Sequence, residues 1–398
     1  MKSTITVIIA ACLVLLGPMG ARAQWIVQIP SGDDSYSLHF ASDPQGAITH
    51  ARQLVAQGKI ADAIAWLARY DQLHPREIAP NRFLGDLYFR NGDVAHAISI
   101  YIAIVREFPG DRETHDRLGV AYATEHRIDD AIAEFTKSLP SINGIRDLVT
   151  LHRIRGDLAQ FRTKIESEAA SHRFDAVIQD QLGELDLADN RPRDGMLAFA
   201  QSLRDQPGFE PAENGIGRAD MVEGNYVSSL ADFKVCVKDH PRSYSCWTNV
   251  GANYLHLHKL DAAEHALAIA RALDPEGPGA LVNLGYLADQ RGAWKSAVTY
   301  YAEAIAVGPY TPEAYIDVGL DYIGHRMYNL AEAALTKGVA FTPYDGRIHV
   351  LLGDVYNEQG QKNLAALQYQ AAISSDNATA RDIAQDRLMR LNGGATPR

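Results

Sequence analysis

Pro207, Pro241, Pro275, Pro309 and Pro343 stand 34 residues apart, and so do Gly217, Gly251, Gly285, Gly319 and Gly353, each ten residues beyond a proline. So many coincidences in one register make the chain a ladder of short repeats. The rung from Pro278 to Thr311 shows what each repeat is. Leu281, Leu284, Gly285 and Ala288 form one apolar stripe, Gly292 interrupts it, Ala297, Tyr301 and Ala304 form a second, and Pro309 stops that one. Spacings of three and four residues place each stripe on one helix face. Gly292 suits the left-handed residue that closes a first helix. Proline cannot continue a helix and biases the residue before it away from helical angles. Each rung therefore reads as helix, turn, helix, stop. Gly285 lies inside the first helix, where glycine costs up to ~1 kcal/mol relative to alanine. Its recurrence predicts a packing reason, a close helix crossing that leaves no room for a side chain.

Leu84-Gly85 with Tyr88, Ala97, Tyr101 and Pro109, and Trp247 with Gly251, Tyr254, Ala263, Ala270 and Pro275, carry a more specific pattern. A 34-residue helix–turn–helix unit with these residues resembles the tetratricopeptide repeat, and the resemblance covers most of the chain. It implies an all-α, right-handed superhelical solenoid whose first helices line a concave surface for an extended partner segment.

In chain order, residues 1–23 read as a signal peptide of bacterial secretory type. Lys2 precedes an apolar core, Ile5 to Leu16, too short to span a bilayer, and Ala21-Arg22-Ala23 has the form of a cleavage site. Cleavage after Ala23 implies a periplasmic or secreted protein, and no later stretch reads as a transmembrane segment. Loss of Lys2 and Arg22 takes the net charge from −11 to −13. An acidic chain without a basic block argues against nucleic acid and against an anionic membrane surface. Residues 24–43 hold two strand-like runs around a turn, which suits either a small hairpin or a flexible leader.

Repeats 1–3 occupy residues 44–141. Gly119 to Gly183 is then 64 residues, four short of two periods, with the deletion placed near Pro140. Residues 142–175 form a degenerate fourth repeat with Val149 in place of the glycine, either a hinge or a harmless variant. Residues 176–379 hold repeats 5–10, and 380–398 a capping helix and tail that cover the end of the stack. The turn residue runs Gly58, Gly92, His126, Gly156, Asn190, Gly224, His258, Gly292, Arg326, Gly360. This position accounts for His126 and His258 without a ligand role.

No catalytic constellation, phosphate-binding loop or dinucleotide fingerprint is present. His256, His258 and His265 lack a standard metal-ligand spacing, so neither metal nor cofactor is expected. Cys236 and Cys246 sit symmetrically about Pro241 and are expected either to pair as a disulfide in an oxidising compartment or to remain two small buried residues. Aligned on the family, the groove positions are Arg82, Asp86, Phe89 and Arg90 in the second repeat, Val282, Tyr286, Asp289 and Gln290 in the eighth, and Ile316, Leu320 and Ile323 in the ninth. Chaperone-binding members grip a terminal carboxylate with a lysine and asparagine. Here the matching pairs are Arg82/Asp86, Asp116/Val120, Asp180/Glu184 and Val282/Tyr286, so that clamp is absent. The expected function is a non-enzymatic exported scaffold or adaptor that binds a protein partner. The alternative is a structural part of an envelope polysaccharide-export or outer-membrane assembly complex, with a glycan as a lesser partner.

Overall fold

The computed structural model describes residues 44–392 except 276, 309, 310 and 376. The signal segment, its cleavage site, the leader of residues 24–43 and the tail from residue 393 lie outside the described residues. Among those described there are helices and no strand. They pair in sequence: α1 (Pro44–Ala56) with α2 (Ile60–Leu73), α3 (Ile78–Arg90) with α4 (Val94–Glu107), α5 (Arg112–Thr124) with α6 (Ile128–Ser138), and α7 (Ile142–Arg155) with α8 (Leu158–Ser171). The next hairpins are α9 (Ala176–Ala188) with α10 (Pro192–Asp205), α11 (Glu210–Val222) with α12 (Tyr226–Asp239), and α13 (Tyr244–His256) with α14 (Leu260–Leu273). Then come α15 (Pro278–Gln290) with α16 (Trp294–Val307), α17 (Pro312–Gly324) with α18 (Tyr328–Phe341), and α19 (Gly346–Glu358) with α20 (Lys362–Ile373). A last helix, α21 (Ala378–Leu391), closes the stack.

Local chemistry sets these boundaries. Asp93, Asp111, Ser141, Asp175, Ser243, Asp345 and Asn377 cap helix starts by accepting backbone N–H bonds. All ten turn residues adopt positive φ, including His126 at 57°, Asn190 at 56°, His258 at 54° and Arg326 at 57°. The glycine inside α3, α5, α9, α11, α13, α15, α17 and α19 has the expected packing reason. A Cβ on Gly285 would overlap the Tyr301 ring, and one on Gly217 would lie 2.6 Å from Phe233 Cε1. Those repeats thus drive a bulky second-helix side chain against bare first-helix backbone, whereas repeats 1 and 4 have Ala51 and Val149 at that position.

The missing four residues have a definite location. Second helices elsewhere mostly run 14 residues, whereas α6 has 11. The remaining residue is lost from the link to α7, which contains a cis Leu139–Pro140 bond. Ser141 bridges this junction by donating to Asp116 Oδ2 at 2.6 Å and accepting from Gly144 N at 3.1 Å.

Curvature follows from which helices touch. First helices of successive repeats contact one another along nearly the whole array, whereas second helices of successive repeats are held apart by the first helices between them. First helices therefore line the inner side. The curve is tight enough for the chain to meet itself. The rings of Phe89 and Phe341 meet at a tilt of 41° with centroids 5.0 Å apart, Arg90 Nη1 donates to Ala306 O at 3.0 Å, and Thr124 Oγ1 donates to Ala340 O at 3.2 Å. Tyr344 Oη donates to Ala123 O at 3.1 Å, across 221 residues of sequence. The within-repeat turns of repeats 2 and 3 thus meet the between-repeat links of repeats 8 and 9, edge to edge. One core cluster runs through this seam and includes Phe89, Tyr315 and Phe341.

Candidate functional site: the inner face

The inner face has two chemistries. At the fifth position of successive first helices stand Arg82, Asp116, Arg146, Asp180 and Asn214, and after them Thr248, Val282, Ile316 and Val350. The early repeats are polar and mostly paired within the chain, although Asp116 Oδ1 and Asp180 Oδ1 are buried without a hydrogen-bond partner. Arg82 donates through Nε to Thr114 Oγ1 at 3.0 Å, pairs with Asp111 at 3.0 Å, and also pairs with Glu113. Asp86 accepts from Tyr101 Oη at 2.6 Å and lies 3.3 Å from Arg117 Nε. Arg218 donates to Glu184 Oε1 at 2.5 Å. Of the second-repeat residues expected to meet a partner, Arg82 and Asp86 are held by neighbouring side chains. Phe89 is 3% exposed in the seam and Arg90 is bound to Ala306 across it. Closure of the turn occupies Phe89 and Arg90, which no repeat alignment contains.

The late repeats are different. Tyr286 and Leu320 are 41% and 47% exposed on the inner side. Val282, Ile316 and Ile323 are half-buried and pack against core clusters beneath them, so the apolar patch has a free rim and a structural floor. Around it lie Asp289, Glu313, Asp317 and Asp321. Burial, followed by the charges of Glu313, Asp289 and Asp321, pushes the Asp317 carboxyl up to about 7, against the lowering effect of Arg347. Burial and Asp289 push Asp321 up to about 6. Burial also raises Asp289, although Tyr301 Oη donates to it at 2.7 Å. That tyrosine is the ring beneath Gly285, so the glycine gap lets a second-helix side chain reach an inner-face carboxylate. Tyr369 does the same to Asp354 at 2.8 Å beneath Gly353. The cue in the sequence was tyrosine, not phenylalanine, at that second-helix position, paired with an inner-face aspartate. The acids Asp317 and Asp321 were not singled out from the sequence.

Two cavities adjoin the inner face. One of about 310 Å³ lies at the seam between Asp116, Arg117, Arg146 and Asp147 on one side and Tyr344 and Arg347 on the other. The second, of about 560 Å³, lies under α21 and is lined by Asp354, Tyr369, Arg387 and Arg390. Among the described residues no group of three or more His, Cys, Asp or Glu is arranged to hold a metal ion, and no helix is long and apolar enough to cross a membrane. Cys236 and Cys246, both fully buried, face each other across the α12–α13 link with Cα atoms 6.0 Å apart and their sulfurs joined.

Comparison with known proteins agrees with this architecture. Residues 84–144 match a tetratricopeptide repeat family. The chain is 22% identical over 176 residues to anaphase-promoting complex subunit 3 of Schizosaccharomyces pombe, covering 44% of this chain and 26% of that protein. It is 22% identical over 226 residues to anaphase-promoting complex subunit cut9 of the same yeast, covering 54% of this chain and 34% of that protein. The chain thus spans about a quarter to a third of the length of these curated relatives. The crystal structure of yeast Tom70 aligns over 88% of this chain and 96% of that one, with 10% identity and a TM-score of 0.48. These curated relatives are eukaryotic and lend no support to an exported bacterial type. Residues 151–389, more than half of the chain, match the family described as the Cilia and flagella-associated protein 70 C-terminal domain. The chain belongs to that family, and it is a tetratricopeptide repeat protein.

Proposed function

We propose that this protein is a non-enzymatic scaffold that docks an extended segment of a protein partner along the inner face of repeats 7–9. The observation that carries the reading is the exposure of Tyr286 and Leu320 on a face where most apolar neighbours are buried. The curated relatives are named as subunits of a multiprotein complex, which supports a scaffold role. The closed turn limits the occupant. Six to seven first helices at roughly 10 Å spacing form a ring about 20 Å across, and subtracting one helix width leaves a bore of about 10 Å. That admits an extended chain and excludes a folded domain. The exported setting stays part of the proposal, resting on Lys2, the apolar core and Ala21-Arg22-Ala23. N-terminal sequencing of protein from its native cells tests it, and a chain still starting at Met1 ends it.

The docking role is tested by in-cell photo-crosslinking from Tyr286, with the exposed Lys295 on α16 as control. A single protein trapped from Tyr286 and not from Lys295 is expected. Equal adducts from both positions, or none from Tyr286, reject the site.

A further inference from the structure

The inner face of α13, α15 and α17 contains no lysine or arginine, yet it carries Asp289, Glu313, Asp317 and Asp321. In repeats 2–6 several inner-face acids have a guanidinium of the chain beside them, as Asp86 has Arg117 and Glu184 has Arg218, although Asp116 and Asp180 each keep an unpartnered oxygen. In repeats 8 and 9 the neighbouring guanidinium groups are already engaged, Arg347 with Asp345 and Glu313 and Arg291 with Asp261 and Glu264, and His325 offsets Asp289 and Asp321 less than burial raises them. A second observation points the same way. Asp321 shares a hydrogen bond with the Asp289 carboxyl, yet its Oδ2 and the Oε1 of Gln290 are buried oxygens that no donor of the chain reaches. A surface with surplus acceptors and surplus negative charge is completed by a group that only donates and is always positive, which describes lysine and arginine. Tyr286 and Leu320 beside these acids call for an apolar contact in the same segment.

Building on the docking role proposed above, we infer that the α13–α17 face accepts a segment of partner chain bearing lysine or arginine next to an apolar side chain. An acidic segment would add like charge to Asp317 and Asp321. A neutral one would bury them further without compensation, which costs free energy.

The test uses the full chain and two short fluorescent peptides, one alternating lysine and leucine, the other glutamate and leucine. Fluorescence anisotropy is followed at low and moderate salt and at pH 8, above the raised values of Asp317 and Asp321, so that both carboxyls are ionised. Saturable binding of the lysine peptide, weakened by salt and about tenfold by Asp317→Asn with Asp321→Asn, is expected. The glutamate peptide should not bind. Asp261→Asn, on the exposed outer side, should leave binding unchanged. These amide variants remove a charge without changing volume, and unchanged thermal melting confirms the fold. Leu320→Ala offers an independent arm, expected to weaken the same peptide without altering its salt dependence. Equal binding of both peptides, or no effect of the paired amide variants, overturns the inference. It does so without touching the docking role if Tyr286 still traps a protein in cells. Absence of that adduct defeats the docking role itself, whatever the peptides do.

Discussion

At the scale of single residues, the repeat works through one contact used over and over, a second-helix ring, or Leu267 and Leu335 in two repeats, seated on first-helix glycine. Because the Tyr301 ring occupies the space a Cβ would need, Gly285→Ala forces a shift in a close-packed crossing. A loss of about 1–3 kcal/mol is expected in urea denaturation, against the small gain alanine gives an exposed helix site. An unchanged midpoint would show that the ring slides aside freely. Asp180 makes a different prediction. It is 6% exposed, and burial first, then Glu184, push its carboxyl from 3.8 up to about 7, with Arg218 opposing. The folded chain thus holds this proton more tightly than the unfolded one. The resulting stabilisation is complete below pH 3.8 and is lost as the pH rises to about 7. Relative to Asp180→Asn, the wild-type melting temperature should therefore fall on going from acid to neutral pH. Parallel profiles for the two proteins would refute this.

At the scale of elements, the α6–α7 junction is where the ladder changes stride. The shortened α6 brings Asp116, Ser138 and Ser141 against the bare backbone of Gly144, where a Cβ would lie 2.5 Å from Ser138 Oγ. Ser141 both caps α7 and donates to a carboxylate that burial already raises. Ser141→Ala removes the cap and leaves Asp116 without this donor. A loss of about 1–2 kcal/mol in thermal melting is expected, and a neutral result would mean water replaces both bonds. The degenerate fourth repeat keeps its packing despite Val149, since Leu148, Val149 and Leu151 are all buried.

At the scale of the molecule, the seam departs from what a repeat array alone requires. In such arrays each repeat touches only its neighbours. Here repeats 2 and 3 also touch repeats 8 and 9, which links the two halves into one closed turn. Phe341→Ala removes the ring that meets both Phe89 and Tyr315. About 3–5 kcal/mol should be lost with the cavity left behind. The radius of gyration from small-angle X-ray scattering should increase as the turn opens. An unaltered scattering curve would show that the polar contacts at Arg90, Thr124 and Tyr344 suffice to keep it closed.

The repeat, its two helices, its turn and its stop were legible in the sequence because each depends on contacts within some 34 residues. Glycine and proline report local backbone angles, and apolar spacing reports a helix face, so the ten turn residues could be named and all ten have positive φ. The inner face was legible only as a set of positions. Tyr286 and Leu320 are exposed there, whereas Phe89 and Arg90, equivalent by register, are closed off by residues over 200 places away. Small rotations between repeats add up over the array, and their sum decides whether one edge reaches another. The acid surplus around Asp317 likewise depends on side chains from α15 and α17 converging, with Arg347 of α19 already engaged by Asp345 and Glu313. Periodicity determined what each rung is, and the accumulated curvature of the solenoid decided which rungs face a partner and which face the chain itself.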